Sequence, residues 1–505
     1  MWRNSIRGFS LIRAETGRRF SATAMEVSSV NPGSKKKSIL YSRLSALGKS
    51  TSNATVWGTL DEWVEEGEPV DKYEIIGCAN QLRRYKRYQH ALEVIDWMEK
   101  MDLQFTYSDH AIRLDLLSKT EGVASAESYF TSLSQQGKNK YTYGALLNCY
   151  CKASMSAKAM KLFENMKELN LISSSLPYNN MMTLYRKFGQ LEAVLQLFEE
   201  MKNRGLTPDS FTYVLLMQSY ASLKDFEEVD RIMEEARRGG KGFLNWKMYT
   251  ALARIYITEG HFAKAESTLQ ELEQVNKVHD RDVYHHLISL YAGTGNLAEV
   301  NRVWKSLKLA FPETINRSYF FMLHALARLK DLKGIKKCFE EWESSHSNYD
   351  IRLLYPVIGA HLLQSMIKES ESLYENAVRK METPCLRILE MFIDFAVANR
   401  MIDLGLKYIN VVINANTENN GWKLSQERVQ AFFKCLEEEK NVFLAEELFK
   451  KLRRIKSVDS NAYMSLVRVY SAAGRRDATI RQRMEEDGIE GDPETEKLLH
   501  RVCPK

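Results

Sequence analysis

Apolar side chains recur along this chain in pairs of segments, and each segment has the three- and four-residue spacing of an amphipathic helix. Phrases such as "SFTYVLLMQSY" (210–220) and "RDVYHHLISLY" (281–291) carry a Tyr at the fourth place and another Tyr seven residues later. The fourth-place tyrosines follow one another at intervals of 35 or 36 residues, and they are Tyr143, Tyr178, Tyr213, Tyr249, Tyr284 and Tyr319. A register held over six units indicates an internal repeat.

A second apolar series follows each tyrosine phrase after a short break. Gly189, Gly260 and Gly295 stand at equivalent places in that break, where a left-handed residue can end the first helix. One column of the second series holds large side chains: Phe163, Phe198, Met233, Leu269, Trp304 and Phe339. Small or β-branched residues lie four positions earlier: Ala159, Val194, Val229, Ala265, Val300 and Ile335. Each unit is therefore predicted to be two amphipathic helices joined by a tight turn, and stacked units give an all-α solenoid with a long groove.

The helix-turn-helix rhythm continues, less regularly, on both sides of these six units. It is kept without the tyrosines in "QLRRYKRYQHALEVIDWMEKM" (81–101) and "VQAFFKCLEEEKNVFLAEELFKKL" (429–452). We predict a repeat array of about 11–12 units over residues 71–485, with a flanking region at 25–70 and a C-terminal cap or tail at 486–505. The Asn-rich "NANTENNG" (414–421) is predicted to be an irregular link.

The first 24 residues have the composition of a targeting segment. They contain five Arg and several Ser but a single acid, Glu15, as organelle transit peptides do. The "RRFS" at 18–21 resembles the cleavage region of plant mitochondrial presequences. We therefore expect residues 1–24 to be a mitochondrial transit peptide and the mature protein to lie in the matrix; the alternative is a basic disordered tail.

The net charge of +6 does not by itself indicate a nucleic-acid partner. Residues 1–37 hold eight Lys and Arg and two acids, which leaves 63 basic and 63 acidic residues in the rest of the chain. An RNA-binding function must therefore rest on the local placement of charge. A hydrophobic fraction of 44% with 27% charged residues is typical of a folded soluble protein, and the sequence has no apolar run of membrane-spanning length.

The repeat resembles the pentatricopeptide repeat. "PYNNMMTLYRKFGQLEAVLQLFEEMKNRGLTPD" (177–209) is similar to that family's consensus nearly throughout, and "YTYGALLNCYCKASMSAKAMKLFENMKELNL" (141–171) is almost as similar. Segments 40–70, 108–119 and 338–344 resemble plant mitochondrial members built only of the standard P-type repeat. The Trp, Leu-Gly and Pro positions of tetratricopeptide repeats are missing. We expect an all-α, right-handed α-solenoid superhelix of stacked repeats of about 35 residues.

The resemblance implies binding of single-stranded RNA with one base read by each repeat. In the family, a base edge is met by the residue after the fourth-place Tyr and by the last residue of the unit. Asn179 with Asp209 is the pair that the family uses for uracil, and Thr250 with Asp280 is the pair used for guanine. Between them, Val214 with Asn245 implies at best a weak pyrimidine preference. The implied core target is U-N-G.

The remaining units depart from the family's pairing and imply weaker base readout. Their pairs are Gly144 with Ser174, His285 with Ile315, and Phe320 with Asp350. Neither Gly nor Phe can distinguish bases by hydrogen bonding, and His285 fits no usual pairing. These units are expected to contact RNA with little base preference on either side of the three central units.

Two further columns bear on RNA in the family. The second place supplies an apolar wedge between bases, and Tyr141, Leu176 and Phe211 match it, whereas Lys247, Asp282 and Arg317 do not. The thirteenth place carries a basic residue towards phosphate. Lys152, Lys187 and Arg328 match it, whereas Ser222, Thr258 and Gly293 do not. We expect modest, salt-sensitive affinity, with the best surface between residues 140 and 280.

The sequence contains no deaminase or nuclease signature, so we predict no enzyme activity, no catalytic or metal-ligating residue and no cofactor. The first functional class is an RNA-binding adaptor that acts on mitochondrial transcripts in processing, stability or translation. The second is a structural RNA-binding subunit of the mitochondrial ribosome. The third is a protein-binding helical scaffold. The expected partners are single-stranded transcript or ribosomal RNA and, beside it, the mitochondrial ribosome or RNA-processing factors, with no membrane.

Overall fold

The computed structural model describes residues 39–47, 55–68, 70–239, 244–275, 280–345, 349–381, 384–415, 422–489 and 493–503. These residues form 27 α-helices and one short 3₁₀ helix, with no strand among them. The predicted all-α class is therefore confirmed. The segment predicted to be a transit peptide and residues 416–421 of the predicted link lie outside the described residues. No helix in the described ranges is both long and apolar enough to cross a membrane.

The chain divides into two compact units, with described residues 39–275 in the N-terminal unit and 280–503 in the C-terminal unit. The N-terminal unit contains helices α1 (Ile39–Ala46), α2 (Val56–Glu65), α3 (Lys72–Arg84), α4 (Tyr88–Lys100), α5 (Tyr107–Thr120), α6 (Val123–Ser132), α7 (Lys140–Lys152), α8 (Ser156–Glu168), α9 (Leu176–Lys187), α10 (Leu191–Asn203), α11 (Ser210–Ser222), α12 (Phe226–Arg238), α13 (Trp246–Thr258) and α14 (Phe262–Val275).

The C-terminal unit continues the same alternation of first and second helices. It contains α15 (Arg281–Thr294), α16 (Leu297–Ala310), α17 (Asn316–Arg328), α18 (Leu332–Ser345), the 3₁₀ helix Ile351–Leu353, α19 (Leu354–Leu363), α20 (Ile367–Met381), α21 (Leu386–Ala398), α22 (Ile402–Ala415), α23 (Gln426–Glu438), α24 (Val442–Arg454), α25 (Ser460–Ala472), α26 (Ile480–Glu486) and α27 (Pro493–Val502).

The turn between the two helices of a repeat uses one left-handed residue. Gly189, Gly260 and Gly295 have φ values of 73°, 81° and 88°, as their places in the sequence predict. In the repeat between Gly189 and Gly260, the equivalent residue is Lys224 with a φ of 65°. Glycine adopts this conformation at no steric cost, whereas a residue with a Cβ is strained there. The turn geometry is therefore common to the repeats even where glycine is absent.

The two predicted columns of the second helices form the core. All six members of the large column are buried, and all six members of the small column have no exposed surface. Phe163 meets the fourth-place Tyr178 of the next unit edge-on, with ring centroids 5.0 Å apart, and Trp304 meets Tyr319 at 5.3 Å. Such ring pairs contribute about 0.5–1.5 kcal/mol beyond the burial of their area. Each unit is thus held by its neighbour in the sequence.

The fourth-place tyrosines are mainly packing residues, as predicted. Tyr178, Tyr213, Tyr249 and Tyr319 are buried. The Tyr178 hydroxyl donates to Glu200 Oε1 at 3.0 Å, and the Tyr319 hydroxyl donates to Glu341 Oε1 at 2.9 Å. In both cases the carboxylate lies 22 residues later in the chain, on the second helix of the same repeat. These bonds satisfy the one polar atom that burial of the ring would otherwise leave unpaired.

Candidate functional site

Asn179 and Asp209 come together at the junction of two successive repeats. Asn179 lies one turn into α9, and Asp209 is the N-cap of α11. The Asn179 amide donates through Nδ2 to both carboxylate oxygens of Asp209, at 3.1 Å each. Thr212 Oγ1 donates to Asn179 Oδ1 at 2.8 Å, which fixes the other side of the amide. The sequence pairing of a fifth-place residue with a last residue is therefore a direct contact here.

Asp209 also begins the helix that follows it. Its Oδ1 accepts from the backbone N–H of Thr212 at 2.8 Å, and its own N–H donates to Thr212 Oγ1 at 3.1 Å, which completes a capping box. Ser175 Oγ donates to Asp209 Oδ2 at 2.6 Å. Asn179 is only 1% exposed, whereas Asp209 is half-buried. The Asp209 carboxylate is therefore the accessible member of the pair, whereas the Asn179 amide is bonded to Asp209 and Thr212.

Val214 and Asn245 occupy the equivalent places of the next repeat. Val214 is 4% exposed, so little of its side chain is available to a base. Asn245 caps α13 by accepting from the N–H groups of Lys247 and Met248, and its Nδ2 donates to Ser210 Oγ at 2.8 Å. The amide of Asn245 thus reaches the first residue of α11. This arrangement offers polar atoms but no selective pair.

Thr250 belongs to the N-terminal unit and Asp280 to the C-terminal unit. Thr250 is buried on α13, and its hydroxyl donates to the Lys247 carbonyl at 2.9 Å. Asp280 caps α15 by accepting from the backbone N–H of Asp282 at 2.9 Å. Both residues have the helix-start positions that the sequence predicts. Their joint use for guanine stays a prediction.

Gly144 and Ser174 leave an open position. A Cβ added to Gly144 would meet nothing within 4 Å, and Ser174 is exposed in the loop before α9. Lys140 Nζ lies 3.5 Å from the neighbouring Ser173 hydroxyl. This repeat presents space and backbone rather than a base-selective pair.

His285 is held inside the C-terminal unit. It is 1% exposed, and its Nε2 lies 2.8 Å from Ser318 Oγ. Its ring stacks on Phe321 at 4.8 Å between centroids with a 6° angle between planes. Burial lowers the pKa of His285, against the raising effect of the nearby Asp282 carboxylate. Ile315, its predicted partner, is exposed at the start of α17.

Phe320 and Asp350 have other partners. The Phe320 ring contacts His324 at 4.2 Å between centroids. Asp350 accepts from Arg352 Nε at 2.8 Å and from Arg352 Nη2 at 2.5 Å. Hydrogen bonds from this guanidinium lower the pKa of Asp350. The carboxylate that the family pattern assigns to a base edge is therefore already paired.

The predicted wedge residues differ in exposure. Tyr141 is 41% exposed, with Lys140 Nζ 5.3 Å from its ring centroid, whereas Leu176 and Phe211 are half-buried. In the C-terminal unit, Asp282 and Arg317 occupy consecutive second places and form an ion pair of 2.9 Å between Oδ1 and Nη1. This ion pair thus occupies two second places at which the family carries apolar wedge residues.

The three predicted phosphate residues all have protein contacts. Lys152 Nζ lies 3.5 Å from Asp115 Oδ1, and Lys187 donates to the Ser154 hydroxyl. Arg328 Nη2 lies 3.5 Å from the Gly293 carbonyl, and burial lowers the pKa of Arg328. The thirteenth place therefore supplies cations, of which Lys152 is shared with a carboxylate.

Cations at the ninth and twelfth places of the first helices were not predicted from the sequence. Place nine of a first helix is four residues from place five, three from place twelve and four from place thirteen, so the four places lie on one side, which we call the fifth-place face. Arg186 on α9 and Arg254 on α13 lie on this face. A count of charge by place, rather than over the whole chain, would have found them.

Among solved structures, the chain is similar to the pentatricopeptide repeat protein PPR10 from maize, with a TM-score of 0.34 and 15% identity, covering 99% of this chain and 79% of that chain. It is also similar to PPR10 in complex with an 18-nt psaJ RNA element, with a TM-score of 0.36 and 14% identity, covering 91% and 81% of the two chains.

The sequence comparisons bear on the repeats themselves. The family model described as "PPR repeat family" matches residues 174–222, and the one described as "PPR repeat" matches 141–171 and 211–240. The chain is 40% identical to pentatricopeptide repeat-containing protein At4g01990, mitochondrial, of Arabidopsis thaliana, covering 96% of this chain and 98% of that one. It is 42% identical to large ribosomal subunit protein mL101 (rPPR4) of the same species, covering 92% and 94%. The chain therefore belongs to the pentatricopeptide repeat family.

Proposed function

We propose that the chain binds single-stranded RNA along the first helices of its N-terminal unit. The observation that carries this proposal is the contact between Asn179 and Asp209, because it joins the two residues that the family uses to read one base. A uracil edge offers two carbonyl acceptors and one N–H donor. The half-buried Asp209 carboxylate offers an acceptor to the uracil N–H, and the Asn179 amide offers its donor to a uracil carbonyl once the base replaces one of its bonds to Asp209.

The site of action in the proposal is the mitochondrion. Two of the most similar relatives carry "mitochondrial" in their names, and the first 24 residues have a transit-peptide composition. We infer that the chain is a P-type member of a plant mitochondrial group, that it enters the matrix, and that it acts on transcripts there in processing, stability or translation.

Substitution of Asn179 by Thr tests the base assignment. The family pairs Thr with Asp for guanine, so Asn179→Thr is expected to move the preference at one position of the bound RNA from U to G. Selection from a random single-stranded RNA pool, followed by sequencing of the bound fraction, measures this preference. Asp225→Asn, which changes an N-cap on the second helix α12, is the matched control and leaves the preference unchanged.

An unchanged base preference for Asn179→Thr, with binding intact, would overturn the assignment of this pair. Loss of any difference between U-N-G RNA and scrambled RNA in the unsubstituted protein would overturn sequence readout as a whole.

A second candidate function is that of an RNA-binding subunit of the mitochondrial ribosome. Its support is the 42% identity to the large-subunit protein mL101, together with the departure of the C-terminal pairs His285 with Ile315 and Phe320 with Asp350 from the family's base-reading pairs. Sedimentation of mitochondrial lysates through high-salt sucrose separates the candidates. A chain that remains with the large subunit supports the ribosomal role, and a chain that stays at the top of the gradient supports the transcript-binding role.

A further inference from the structure

Two arginines of the N-terminal unit are held without an acidic partner. Arg186 on α9 and Arg254 on α13 are half-buried, and burial alone lowers the pKa of each guanidinium, with no carboxylate of the described residues contributing. Arg186 Nε is buried and has no hydrogen-bond partner within the described part of the chain. A partly buried cation without a partner is costly, so such groups are usually paired.

Other arginines of this unit show the usual arrangement. Arg113 Nη1 lies 2.6 Å from Glu99 Oε1, and Arg237 Nη2 lies 2.5 Å from Glu271 Oε2. The guanidiniums of both arginines are thus paired with carboxylates through their Nη atoms, although Arg113 Nε, like Arg186 Nε, has no partner among the described residues. The guanidiniums of Arg186 and Arg254 have no carboxylate partner among the described residues.

Both unpaired arginines lie on the fifth-place face. Arg186 follows Asn179 by seven residues, which is two helical turns, and Arg254 follows Thr250 by four residues. Helix α11 lies between α9 and α13 in the sequence of first helices, and its own residues at places nine, twelve and thirteen are Gln218, Ala221 and Ser222. Two guanidiniums thus lie on the same face of first helices that are two repeats apart. The first helix between them has uncharged residues at the corresponding places.

The charge along this face is one-sided in the N-terminal unit. Places nine, twelve and thirteen of its six first helices from α3 to α13 carry seven cations and one acid: Arg83, Arg84, Lys119, Lys152, Arg186, Lys187 and Arg254 against Asp115. Asp115 is in contact with Arg83, Lys119 and Lys152, at 2.8, 2.6 and 3.5 Å. The remaining cations are therefore not neutralised on this face.

The C-terminal unit has no such excess. The same places of its six first helices from α15 to α25 carry three cations and three acids: Arg328, Lys434 and Arg468 against Asp394, Glu437 and Glu438. Because the two units have the same repeat, the difference does not come from the fold. It indicates a polyanion bound by the N-terminal unit.

We propose that Arg186 and Arg254 bind the phosphodiester backbone of single-stranded RNA, each through its planar guanidinium. This proposal rests on the proposed RNA-binding function and adds two residues at places nine and twelve to the bases read at the fifth place. Guanidinium matches phosphate geometry with two parallel hydrogen bonds. With one base read by each repeat, the two arginines contact phosphates two nucleotides apart.

The double variant Arg186→Gln/Arg254→Gln tests the proposal in the full chain. The affinity for single-stranded RNA is measured by fluorescence anisotropy over a range of salt concentrations, with U-N-G RNA and scrambled RNA as probes. Each lost phosphate contact should lower the slope of log K against log salt by about 0.7, and the two together by about 1.4. The affinity for both probes should fall by the same factor, roughly tenfold at low salt, because phosphate contacts carry no sequence information.

Two further variants separate the proposal from its alternatives. Arg231→Gln removes the same charge from the second helix α12, where Arg231 is 70% exposed, and is expected to keep the original slope. Arg186→Lys/Arg254→Lys keeps both charges and should restore most of the slope, although it loses the bidentate geometry. Thermal unfolding followed by circular dichroism reports whether each variant is folded.

The outcomes are distinct for the two proposals. RNA binding by the unsubstituted chain, with the same salt slope in the folded Arg186→Gln/Arg254→Gln variant, overturns the arginine assignment and leaves the RNA-binding function standing. Unchanged slopes in both the glutamine and lysine variants lead to the same conclusion. Absence of RNA binding by the unsubstituted chain overturns both.

Discussion

Asp115 lies at the ninth place of α5 and is shared by cations from three successive first helices. Lys119 of its own helix, Arg83 of α3 and Lys152 of α7 all contact its carboxylate. Burial by itself would raise the pKa of Asp115, but the three cations outweigh burial and lower the pKa to about 2. The carboxylate is therefore ionised at neutral pH.

The substitution Asp115→Asn is expected to destabilise the protein, in a pH-dependent way. The folded-state pKa lies below the ordinary value of 3.8, so the ionised carboxylate stabilises the fold above that pH by about 2 kcal/mol. This contribution is lost as the pH falls from about 4 to about 2, because the carboxylate becomes protonated in both states. Urea unfolding followed by circular dichroism at neutral and acidic pH measures the difference.

The matched control for Asp115 is Glu168→Gln, which neutralises an exposed carboxylate at the end of α8. We expect this control to unfold at the same urea concentration as the unsubstituted protein. Equal urea midpoints for Asp115→Asn and Glu168→Gln at neutral pH would contradict the prediction that the Asp115 carboxylate stabilises the fold through its three cations.

Sequence reasoning located individual site residues unevenly. The contact between Asn179 and Asp209 agrees with the pairing that the family resemblance implies. The bonds of Asp350 to Arg352 and of His285 to Ser318 were not predicted. A pairing rule names two places of the repeat, whereas a side chain bonds to any suitable neighbour. Such competition depends on the full set of residues around each site.

At the scale of helices, the hydrophobic columns were the most predictable feature. A large residue every 35 or 36 positions on the second helix can be buried only if the units stack, and the whole column is buried. The left-handed turn was predictable only where glycine marks it. Lys330 and Arg400 adopt the same conformation with φ values of 60° and 57°. Their strain is offset by packing of the two helices, which no local pattern reveals.

Two glycines inside helices should respond in opposite ways to substitution by Ala. A Cβ on Gly405 of α22 would lie 2.5 Å from Cζ of Phe432, whose ring is fully buried on α23. Gly405→Ala should therefore destabilise the protein by about 1–3 kcal/mol, because the ring has no space into which to move. Gly144→Ala on α7 meets open space and should stabilise the protein by up to about 1 kcal/mol, the gain in helix propensity.

Urea-unfolding midpoints of the two alanine variants check this prediction, and each variant is the control for the other. A midpoint for Gly405→Ala at or above that of the unsubstituted protein would mean that α22 and α23 pack less closely than described. A lower urea midpoint for Gly144→Ala would mean that the folded state does not accommodate a methyl group at this position.

At the scale of the whole chain, the net charge conceals a division between the two units. Outside residues 1–37 the basic and acidic residues are equal in number, so the total predicts no polyanion partner. Sorted by place in the repeat, the fifth-place face carries an excess of cations in the N-terminal unit and none in the C-terminal unit. Electrostatic attraction depends on this local placement. The fold makes the placement visible, because it assigns each residue to a face.

Crosslinking to RNA should therefore be concentrated in one unit. We expect photocrosslinks from 4-thiouridine-containing single-stranded RNA to fall mainly in peptides of the first helices from α3 to α13, and few to fall in the first helices from α15 to α25. The reason is that the C-terminal unit lacks the cation excess on its fifth-place face. Mass spectrometry of crosslinked full-length protein measures the distribution, with peptides of the second helices α8, α10 and α12 as the internal background. Crosslinks spread equally over the first helices of both units would contradict the idea that the cation excess determines where RNA binds.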